Sequence, residues 1–475
     1  MITFLLSIVL LVLGHLFYGK FVEKVFGVDP KAETPAIKLE DGVDFIPLPG
    51  WKIFMIQFLN IAGLGPIFGA IAGALFGPVA FIWIVIGSIF AGGVHDYMSG
   101  MLSLRNDGKS VPELVGKYLG QPYRMAMRVI SVVLLVLVGV VFVAGPATIL
   151  HGLTGLNVQV LIYIIFAYYL IATLVPVDKI IAKIYPLFGA ALLFMAAGVG
   201  IMLFVGGFEI PELFGNITNM QASPMKTPIF PMLFITIACG AISGFHSTQS
   251  PLMARCLTNE KQGKNVFYGS MIAEGVVALV WAAAAMAFFG GVKGLAGFDG
   301  NAATIVNVIS NSLLGKVGGA LAVFGVVAAP ITSGDTAFRS ARLTIADALN
   351  FEQHSMKNRL LVAIPLFVIG FFLSKVDFNI VWRYFGFTNQ LIATIVLWTS
   401  TAYFVREKKN FWITFIPAVF MTSVCIAFIM MAPIGFGLPV MMSKYTGIAL
   451  AVGIGVVFLA VKDKVYNKEG KKVTV

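Results

Sequence analysis

The stretch ACGAISGFHSTQSPLMA, residues 238–254, interrupts an apolar segment with glycine, proline and five consecutive polar side chains. Proline removes a backbone donor and clashes with the preceding turn, and clustered glycine weakens a helix further. Unwound backbone at membrane depth is tolerated only where it is buried in protein or lines a cavity. The stretch therefore predicts a membrane helix that is broken over 244–251, with a polar site at the break.

A second break of this kind comes earlier in the chain. The stretch FLNIAGLGPIFGAIAGALFGP (58–78) carries Gly63, Gly65 and Pro66 near the middle of an apolar run. Three further glycines follow at the small-residue spacing that lets helices pack closely, and we interpret them as packing positions: Gly69, Gly73 and Gly77. Close packing alone is the alternative explanation for both breaks, but it does not require the polar run at 246–250.

Apolar runs near the length that a bilayer needs, about 20 residues, recur along the whole chain. They predict about thirteen spans: 2–19, 53–76, 79–103, 128–150, 158–175, 180–206, 229–255, 266–290, 316–347, 359–373, 379–404, 411–432 and 440–461. The chain is 59% hydrophobic and 12% charged, whereas an average soluble domain carries about 25% charged residues. This composition excludes a soluble body on a single anchor and predicts an all-α polytopic membrane protein, with the lipid bilayer as a partner.

The basic residues alternate between the two sides of the predicted bilayer. All but six of the 33 lysines and arginines lie in or near every second connection, starting after the first span, or in the tail. The six exceptions are Lys226, Lys293, Lys316, Lys375, Arg383 and Lys444. By the positive-inside rule the N-terminus is outside and the C-terminus is cytoplasmic. Because the basic residues are dispersed in short loops, the net charge of +11 does not indicate a nucleic-acid partner.

The two broken helices run in opposite directions in this topology and are five spans apart. A five-helix unit followed by its inverted copy, with the first helix of each unit broken, is typical of alternating-access transporters. The predicted division is 1–50 for an extra helix and linker, 51–206 and 229–404 for the two repeats, and 405–475 for two helices and a basic tail. The segment 299–315 is predicted to be a short helix on the outer surface.

Ionisable and polar side chains in the spans are the candidates for a transport site, because burying them is expensive. The predicted substrate contacts are Asn60, Gly63, Gly65, Gly244, His246, Ser247, Thr248, Gln249, Asn389 and Gln390. The predicted coupling-ion residues are Thr332, Ser333, Asp335 and Glu274. Oxygen ligands of this kind suit Na⁺, and a carboxylate also suits H⁺. Half-helix N-termini favour an anionic group, so we expect a substrate that bears a carboxylate.

Each of these residues has a structural alternative. Asp335 could instead form an ion pair with Arg339, four residues on at helical spacing. Glu274 could be a buried hydrogen-bond partner, and the Asn and Gln side chains could bridge helices. The dipeptide His95–Asp96 is interpreted as a helix-end cap, with a proton relay as its alternative. Three cysteines in or beside apolar segments form no CxxC pair and are interpreted as small membrane residues: Cys239, Cys256 and Cys425.

With these motifs the chain resembles the carbon starvation protein A (CstA) family. The resemblance is carried by YGKFVEKVFG (18–27), IAGLGPIFGAIAGALFGP (61–78), HDYMSGMLSLRNDGKSVPELVGKYLG (95–120), ACGAISGFHS (238–247), GDTAFRSAR (334–342) and FGFTNQLIA (385–393). It implies a bacterial inner-membrane transporter of short peptides or, in some members, pyruvate, with a LeuT-type 5+5 inverted repeat. After GFHS the chain reads TQSP, where the family has a run richer in Ser, Gly and Thr, so both substrates stay open.

The expected function is ion-coupled import of a small carboxylate-bearing nutrient by a multi-pass protein of the bacterial inner membrane. No enzymatic activity and no cofactor are expected beyond a coupling ion, H⁺ or Na⁺. A channel and an intramembrane electron carrier are the alternatives. A channel would need a wide polar stripe along several helices, which the charge-poor spans disfavour. Bis-histidine haem would need a facing partner for His246, and the chain contains neither an HExxH nor a GxSxG motif.

Overall fold

The computed structural model describes residues 1–42, 44–174, 178–353 and 355–466, with the backbone alone at 174, 178–185 and 464–466. Within these ranges every regular element is a helix. The end of the predicted basic tail, 467–475, lies outside the described residues.

The helices follow one another with short connections. In chain order they are α1 (Ile2–Phe26), α2 (Pro35–Lys38), α3 (Gly50–Ile61), α4 (Gly65–Ala74), α5 (Val79–Leu104), α6 (Val111–Leu119), α7 (Gln121–Thr154), α8 (Val158–Leu174), α9 (Asp178–Val205), α10 (229–236), α11 (Gly244–Ala254), α12 (Lys264–Phe288), α13 (Val292–Gly297), α14 (Ala302–Leu349), α15 (Met356–Leu373), α16 (Phe378–Arg406), α17 (Trp412–Met431) and α18 (Val440–Tyr466).

Nine of the described helices are long and apolar enough to cross a membrane, or ten if the bent pair α3 and α4 is one span. Each predicted span overlaps a helix, and large apolar side chains on α1, α15 and α18 face outward, as lipid contact requires: Phe17, Phe372 and Val457 are more than 60% exposed. The polytopic helical fold is therefore confirmed. The count of thirteen crossings stays a prediction, because α8, α10–α11 and α16 are not among these nine or ten.

The first predicted break is confirmed at its predicted position. Helix α3 ends at Ile61, α4 begins at Gly65, and the two are bent by 50°. Two glycines of α4 permit a close crossing with the second broken helix. A Cβ at Gly73 would lie 2.3 Å from the Ile237 side chain, and one at Gly69 would lie 3.0 Å from the Thr236 carbonyl oxygen. The packing interpretation of these two glycines is confirmed.

The second break lies earlier than predicted. The backbone is non-helical over 237–243, and α11 already begins at Gly244, so Pro251 lies inside a helix instead of in the break. The reason is a cap: Ser243 is extended, with φ −144°, and the side chain of Asn389 accepts the hydrogen bond of the Phe245 N–H. An external acceptor at this end lets the helix begin before the polar run.

A third discontinuity lies inside α14. Gly315 has φ +57° and ψ −144°, which is non-helical, so the chain turns there between residues 302–314 and the rest of α14. Glycine tolerates a positive φ that other residues rarely adopt. The predicted short helix over 299–315 is thus present as a separate segment, and its position on the outer surface stays a prediction.

Helix α12 forms much of the interior next to the breaks. It packs against α4, and its run of four alanines, residues 282–285, is fully buried beside Trp281. Small side chains let helix backbones approach closely where a hydrophobic driving force between helices is missing. Helix α11 lies between α5 and α16, so residues from α5, α11, α12 and α16 converge at the second break.

Candidate functional site

His246 lies at the centre of a buried cluster of ionisable side chains. Its Nδ1 is 2.8 Å from the Asp96 Oδ2 on α5, and its Nε2 is 3.2 Å from the Glu274 Oε2 on α12. The second oxygen of Asp96 is 2.7 Å from the Nδ1 of His95. All four side chains have no exposed surface. The cluster therefore joins three helices, and it begins at the third residue after the second break.

Asp96 was not among the predicted site residues, and its interpretation as a helix-end cap is wrong. Helix α5 continues for two further turns to Leu104, and the carboxylate reaches across to His246 instead. The available signal was the pair of ionisable neighbours at 95–96 in a segment with few other charges. A sequence shows that such a pair is costly in a membrane, but not which distant residue it meets.

Asn389 bridges α16 to the start of α11. Its Oδ1 accepts hydrogen bonds from the Phe245 N–H at 2.7 Å and from the Ser243 hydroxyl at 3.1 Å. The neighbouring Gln390 donates through Nε2 to the carbonyl oxygen of Phe234 at 3.1 Å. The structural alternative for both amides, helix bridging, is therefore present, and a contact with substrate stays a prediction.

The polar residues after His246 are bonded within their own helix. Ser247 and Thr248 donate to the carbonyl oxygens of Gly244 and Phe245 at 2.6 and 2.7 Å. Gln249 donates to the Thr248 hydroxyl at 2.9 Å. These hydrogen bonds are local to α11, and the predicted contact of the three side chains with substrate stays a prediction.

The first break contributes buried but less polar surroundings. A Cβ at Gly63 would lie 2.7 Å from the Phe142 ring, and one at Gly65 would lie 2.4 Å from Cys239. Asn60, in the last turn of α3, is 3% exposed, and its Oδ1 has no hydrogen-bond partner among the described residues. The two breaks thus contact each other directly, as a site shared between them requires.

The predicted coupling-ion residues separate into two places. Glu274 lies against His246, whereas Asp335 lies 3.4 Å from the Arg339 guanidinium, which is the alternative foreseen for it. Thr332 donates to the Ala329 carbonyl oxygen at 2.8 Å, and the buried Ser333 hydroxyl has no hydrogen-bond partner among the described residues. A coupling role of this part of α14 stays a prediction.

A cavity of about 510 Å³ lies beside the breaks, on the side predicted to be external. It is lined by residues of α4, α7, α8, α13, α14 and α16 and of the loop before α14, among them Phe68, Asn301 and Trp382. Trp382 also lines a gap of about 10 Å³ next to Gly65 and Cys239. The rings of Trp382 and Phe68 are 5.8 Å apart, so this aromatic pair stands between the cavity and the crossing of the breaks.

At the opposite end of the molecule, Arg105 is the centre of a network of side-chain contacts. Its guanidinium forms two hydrogen bonds of 2.9 Å with Glu260, donates to the Tyr403 hydroxyl at 3.0 Å, and lies 4.0 Å above the Phe26 ring. Burial lowers the pKa of Arg105, but the hydrogen bonds to Glu260 and Tyr403 outweigh it and raise the pKa above its usual value. The network ties together α1, α5, α16 and the loop before α12.

Comparison of the sequence with known families is decisive for the identity of the chain. The profile of the family Carbon starvation protein CstA matches residues 1–145, 126–310 and 284–428. The chain belongs to this family. The resemblance deduced from its motifs is therefore confirmed, and the matched ranges include both breaks and the buried cluster.

Sequence relatives support the same family assignment. The peptide transporter CstA of Escherichia coli is 25% identical, over 87% of this chain and 78% of the relative. The pyruvate/proton symporter BtsT of the same organism is 23% identical, over 87% of this chain and 79% of the relative. A membrane protein of Haemophilus influenzae is 47% identical over 61% of this chain and 91% of its own length. The CstA-family chain is thus a multi-pass membrane protein with transporters among its relatives.

The fold is shared with transporters of known structure. The closed structure of Mhp1, a nucleobase-cation-symport-1 family transporter with bromovinylhydantoin bound, matches with a TM-score of 0.52 at 14% identity. The match covers 88% of this chain and 93% of Mhp1. At this level of identity the match shows the fold alone, and the all-helical LeuT-type fold class is confirmed at that level.

Proposed function

We propose that this chain is an ion-coupled secondary transporter that imports a small carboxylate-bearing nutrient across the bacterial inner membrane. The observation that carries the proposal is the direct contact between the two breaks, Gly65 against Cys239, next to the buried cluster at His246. Alternating-access transporters bind their substrate at such a crossing of discontinuous helices near the middle of the bilayer.

The proposed architecture is a LeuT-type inverted repeat. Helices α3 to α9 form the first five-span unit and α10 to α16 its inverted copy, each with a broken first helix. Helix α1 precedes the repeats, and α17 and α18 follow them. The alternation of basic loops supports an outside N-terminus and a cytoplasmic C-terminus.

The substrate is proposed to bind between the breaks through its carboxylate. Helices α4 and α11 begin at Gly65 and Gly244, and both starts lie in this region. The N-terminus of a helix carries a partial positive charge and favours an anion. Pyruvate and short peptides both carry a carboxylate, and relatives in the family are named for each of them.

Access from the outside is proposed to run through the cavity beside Trp382. The aromatic layer of Phe68 and Trp382 separates this cavity from the breaks, whereas the Arg105 network closes the other end. In alternating access, the state that loads substrate from outside is open toward the outside and closed toward the cytoplasm. The proposed arrangement corresponds to that state.

The test is uptake by the purified protein in proteoliposomes. Labelled pyruvate and a labelled dipeptide are offered separately, each with an imposed proton gradient, an imposed sodium gradient or neither. We expect accumulation of one substrate with one gradient, and an altered uptake or ion dependence in His246→Ala or Asp335→Asn. Accumulation of neither substrate by folded protein would contradict the proposed function, and unchanged transport in both variants would contradict the proposed sites.

A further inference from the structure

Asp96 fixes which ring nitrogen carries a hydrogen in each of the two histidines that it contacts. Its two oxygens lie 2.7 Å from the His95 Nδ1 and 2.8 Å from the His246 Nδ1. An ionised carboxylate only accepts hydrogen bonds, so each of these ring nitrogens carries a hydrogen and donates it. The neutral His246 ring therefore presents the lone pair of Nε2 on its opposite side, toward Glu274.

The contact between His246 and Glu274 becomes favourable when it holds one proton. The Nε2 and Oε2 atoms are 3.2 Å apart, and neither Glu274 oxygen has a hydrogen-bond partner among the described residues. Without a proton a lone pair faces a buried carboxylate, which is costly in a medium of low dielectric constant. With a proton the contact is either imidazolium to carboxylate or imidazole to carboxyl, and both are attractive.

The charge of the cluster leads to the same conclusion. Asp96 and Glu274 together carry two negative charges when both are ionised, and their basic partners in the described ion pairs are histidines. The other titratable group that faces His246 is the thiol of Cys239, from the unwound segment. One bound proton halves the net charge of the buried cluster. It also makes the contact between His246 and Glu274 attractive.

Proton occupancy is linked by geometry to the substrate site. His246 is the third residue of α11, directly after the break, while Glu274 belongs to α12, which packs against the other broken helix through α4. Loss of the proton removes the attraction between the His246 and Glu274 side chains, which is the described ion pair between α11 and α12. Movement of α11 at its break changes the surface that the two breaks present to a substrate.

We propose that His246 and Glu274, oriented by Asp96, form the proton-binding site that couples substrate transport to proton movement. The inference rests on the proposed function and names its coupling ion. Asp335 is the competing candidate, but it already has a permanently charged partner in the guanidinium of Arg339, 3.4 Å away, whereas the partner of Glu274 is a histidine that can itself gain or lose a proton.

The decisive variant is Glu274→Gln, which keeps the shape of the side chain and removes its proton exchange. Proteoliposomes are loaded with unlabelled pyruvate or dipeptide, and exchange for labelled substrate is compared with accumulation driven by a proton gradient. We expect exchange to persist and proton-driven accumulation to fall by about tenfold or more, within the usual range of coupling between sites. Glu352→Gln, an exposed carboxylate in a loop, is the matched control and should retain both.

A measurement on the unaltered protein keeps the inference falsifiable if Glu274→Gln does not fold. Downhill uptake of the transported substrate should acidify the lumen, as reported by an enclosed pH dye. Substrate entry without acidification, or full proton-driven accumulation by Glu274→Gln, would overturn the proton site and leave the transporter intact. Neither exchange nor accumulation by the unaltered protein would overturn the proposed function itself, so the two failures are distinguishable.

Discussion

Gly65 lies so close to Cys239 that a Cβ added at residue 65 would be 2.4 Å from both the Cβ and the Sγ of the cysteine. The first residue of α4 and the unwound segment before α11 are therefore in contact without intervening side-chain volume. Real Cβ atoms do not approach other heavy atoms to this distance, so a larger residue at either position must displace one broken helix from the other.

The first prediction concerns this contact. Gly65→Ala should lower stability by about 1–3 kcal/mol, as overpacking does in well-packed cores, and should reduce gradient-driven uptake. Gly453→Ala, on α18 with open space around the new Cβ, is the control and should leave both unchanged. The measurements are thermal unfolding in detergent and proteoliposome uptake.

A compensating change sharpens the test. Cys239→Gly combined with Gly65→Ala should recover part of the lost stability, because the added and the removed atoms occupy the same space. If the two substitutions changed the stability by strictly additive amounts, the contact between residues 65 and 239 would not determine how closely the two broken helices approach.

The second prediction concerns Asn389. Asn389→Ala removes the acceptor of the Phe245 N–H and leaves a buried donor unsatisfied, at a cost of about 1–3 kcal/mol. We expect a lower melting temperature even without substrate, because α11 loses its cap. Gln390→Ala removes a single bond to a carbonyl oxygen and should cost less. If Asn389→Ala changed only the apparent KM and not the melting temperature, the side chain would act on substrate and not on the helix.

The third prediction uses Cys256, which lies four residues before Glu260. Burial raises the pKa of its thiol to about 11, so alkylation should be slow at neutral pH and should rise about tenfold per pH unit up to that value. Arg105→Lys keeps the charge but loses the paired hydrogen bonds to Glu260. If the substitution lowers the free energy needed to open this end by about 1.4 kcal/mol, the fraction of molecules in which Cys256 is accessible rises about tenfold. The rate of labelling at fixed pH should rise by the same factor.

Peptide mass spectrometry after maleimide treatment measures this rate and separates Cys256 from the other two cysteines. Asp107→Asn is the control, because it breaks a highly exposed ion pair with Lys38 on the same end of the molecule and should leave labelling unchanged. Equal labelling of Arg105→Lys and unaltered protein would mean that the Arg105 network does not close this end.

The fourth prediction concerns Glu212, in the connection after α9. Slight burial raises its pKa, but hydrogen bonds from the Met1 amino group and from Thr3 outweigh this and lower the pKa from 4.5 to about 2. A carboxyl group whose pKa is lowered in the folded state stabilises it above its usual pKa. The stabilisation is therefore present at neutral pH and is lost as the pH falls from 4.5 toward 2.

The measurement is the melting temperature as a function of pH. Glu212→Gln should melt lower than the unaltered protein at pH 7, and the difference should shrink on acidification. Glu209→Gln, which changes an exposed carboxylate three residues away, is the control. A difference that stays constant down to pH 3 would contradict the role of the Glu212 charge.

The presence of two breaks, the apolar helices and the separate helix before Gly315 could be predicted from sequence because each depends on local chemistry. Proline and clustered glycine weaken a helix wherever it lies, and apolar runs report the bilayer directly. The start of α11 was misplaced because its cap comes from Asn389, which lies more than 140 residues away in the chain. A local pattern cannot show a partner at that distance.

The partners of the ionisable residues could not be predicted for the same reason. Glu274 was grouped with Asp335 by chemical type, but the packing of α12 places it at His246. Asp96 was overlooked because a charge near the end of an apolar run resembles a cap. The sequence did indicate that few ionisable residues lie in the spans. Three of the four residues in the cluster, His95, Asp96 and His246, belong to motifs that carry the family resemblance.

The buried cluster also constrains how the protein is made. Asp96 precedes His246 by 150 residues, so α5 emerges from the ribosome long before α11 and α12 exist. A carboxylate at the centre of an isolated span costs about 2.5–3.5 kcal/mol on insertion scales, and His95 is the only neighbour in the cluster that is synthesised with it. The early spans therefore enter the membrane with an unfinished interior, which is completed only when α11 and α12, translated much later, dock against them.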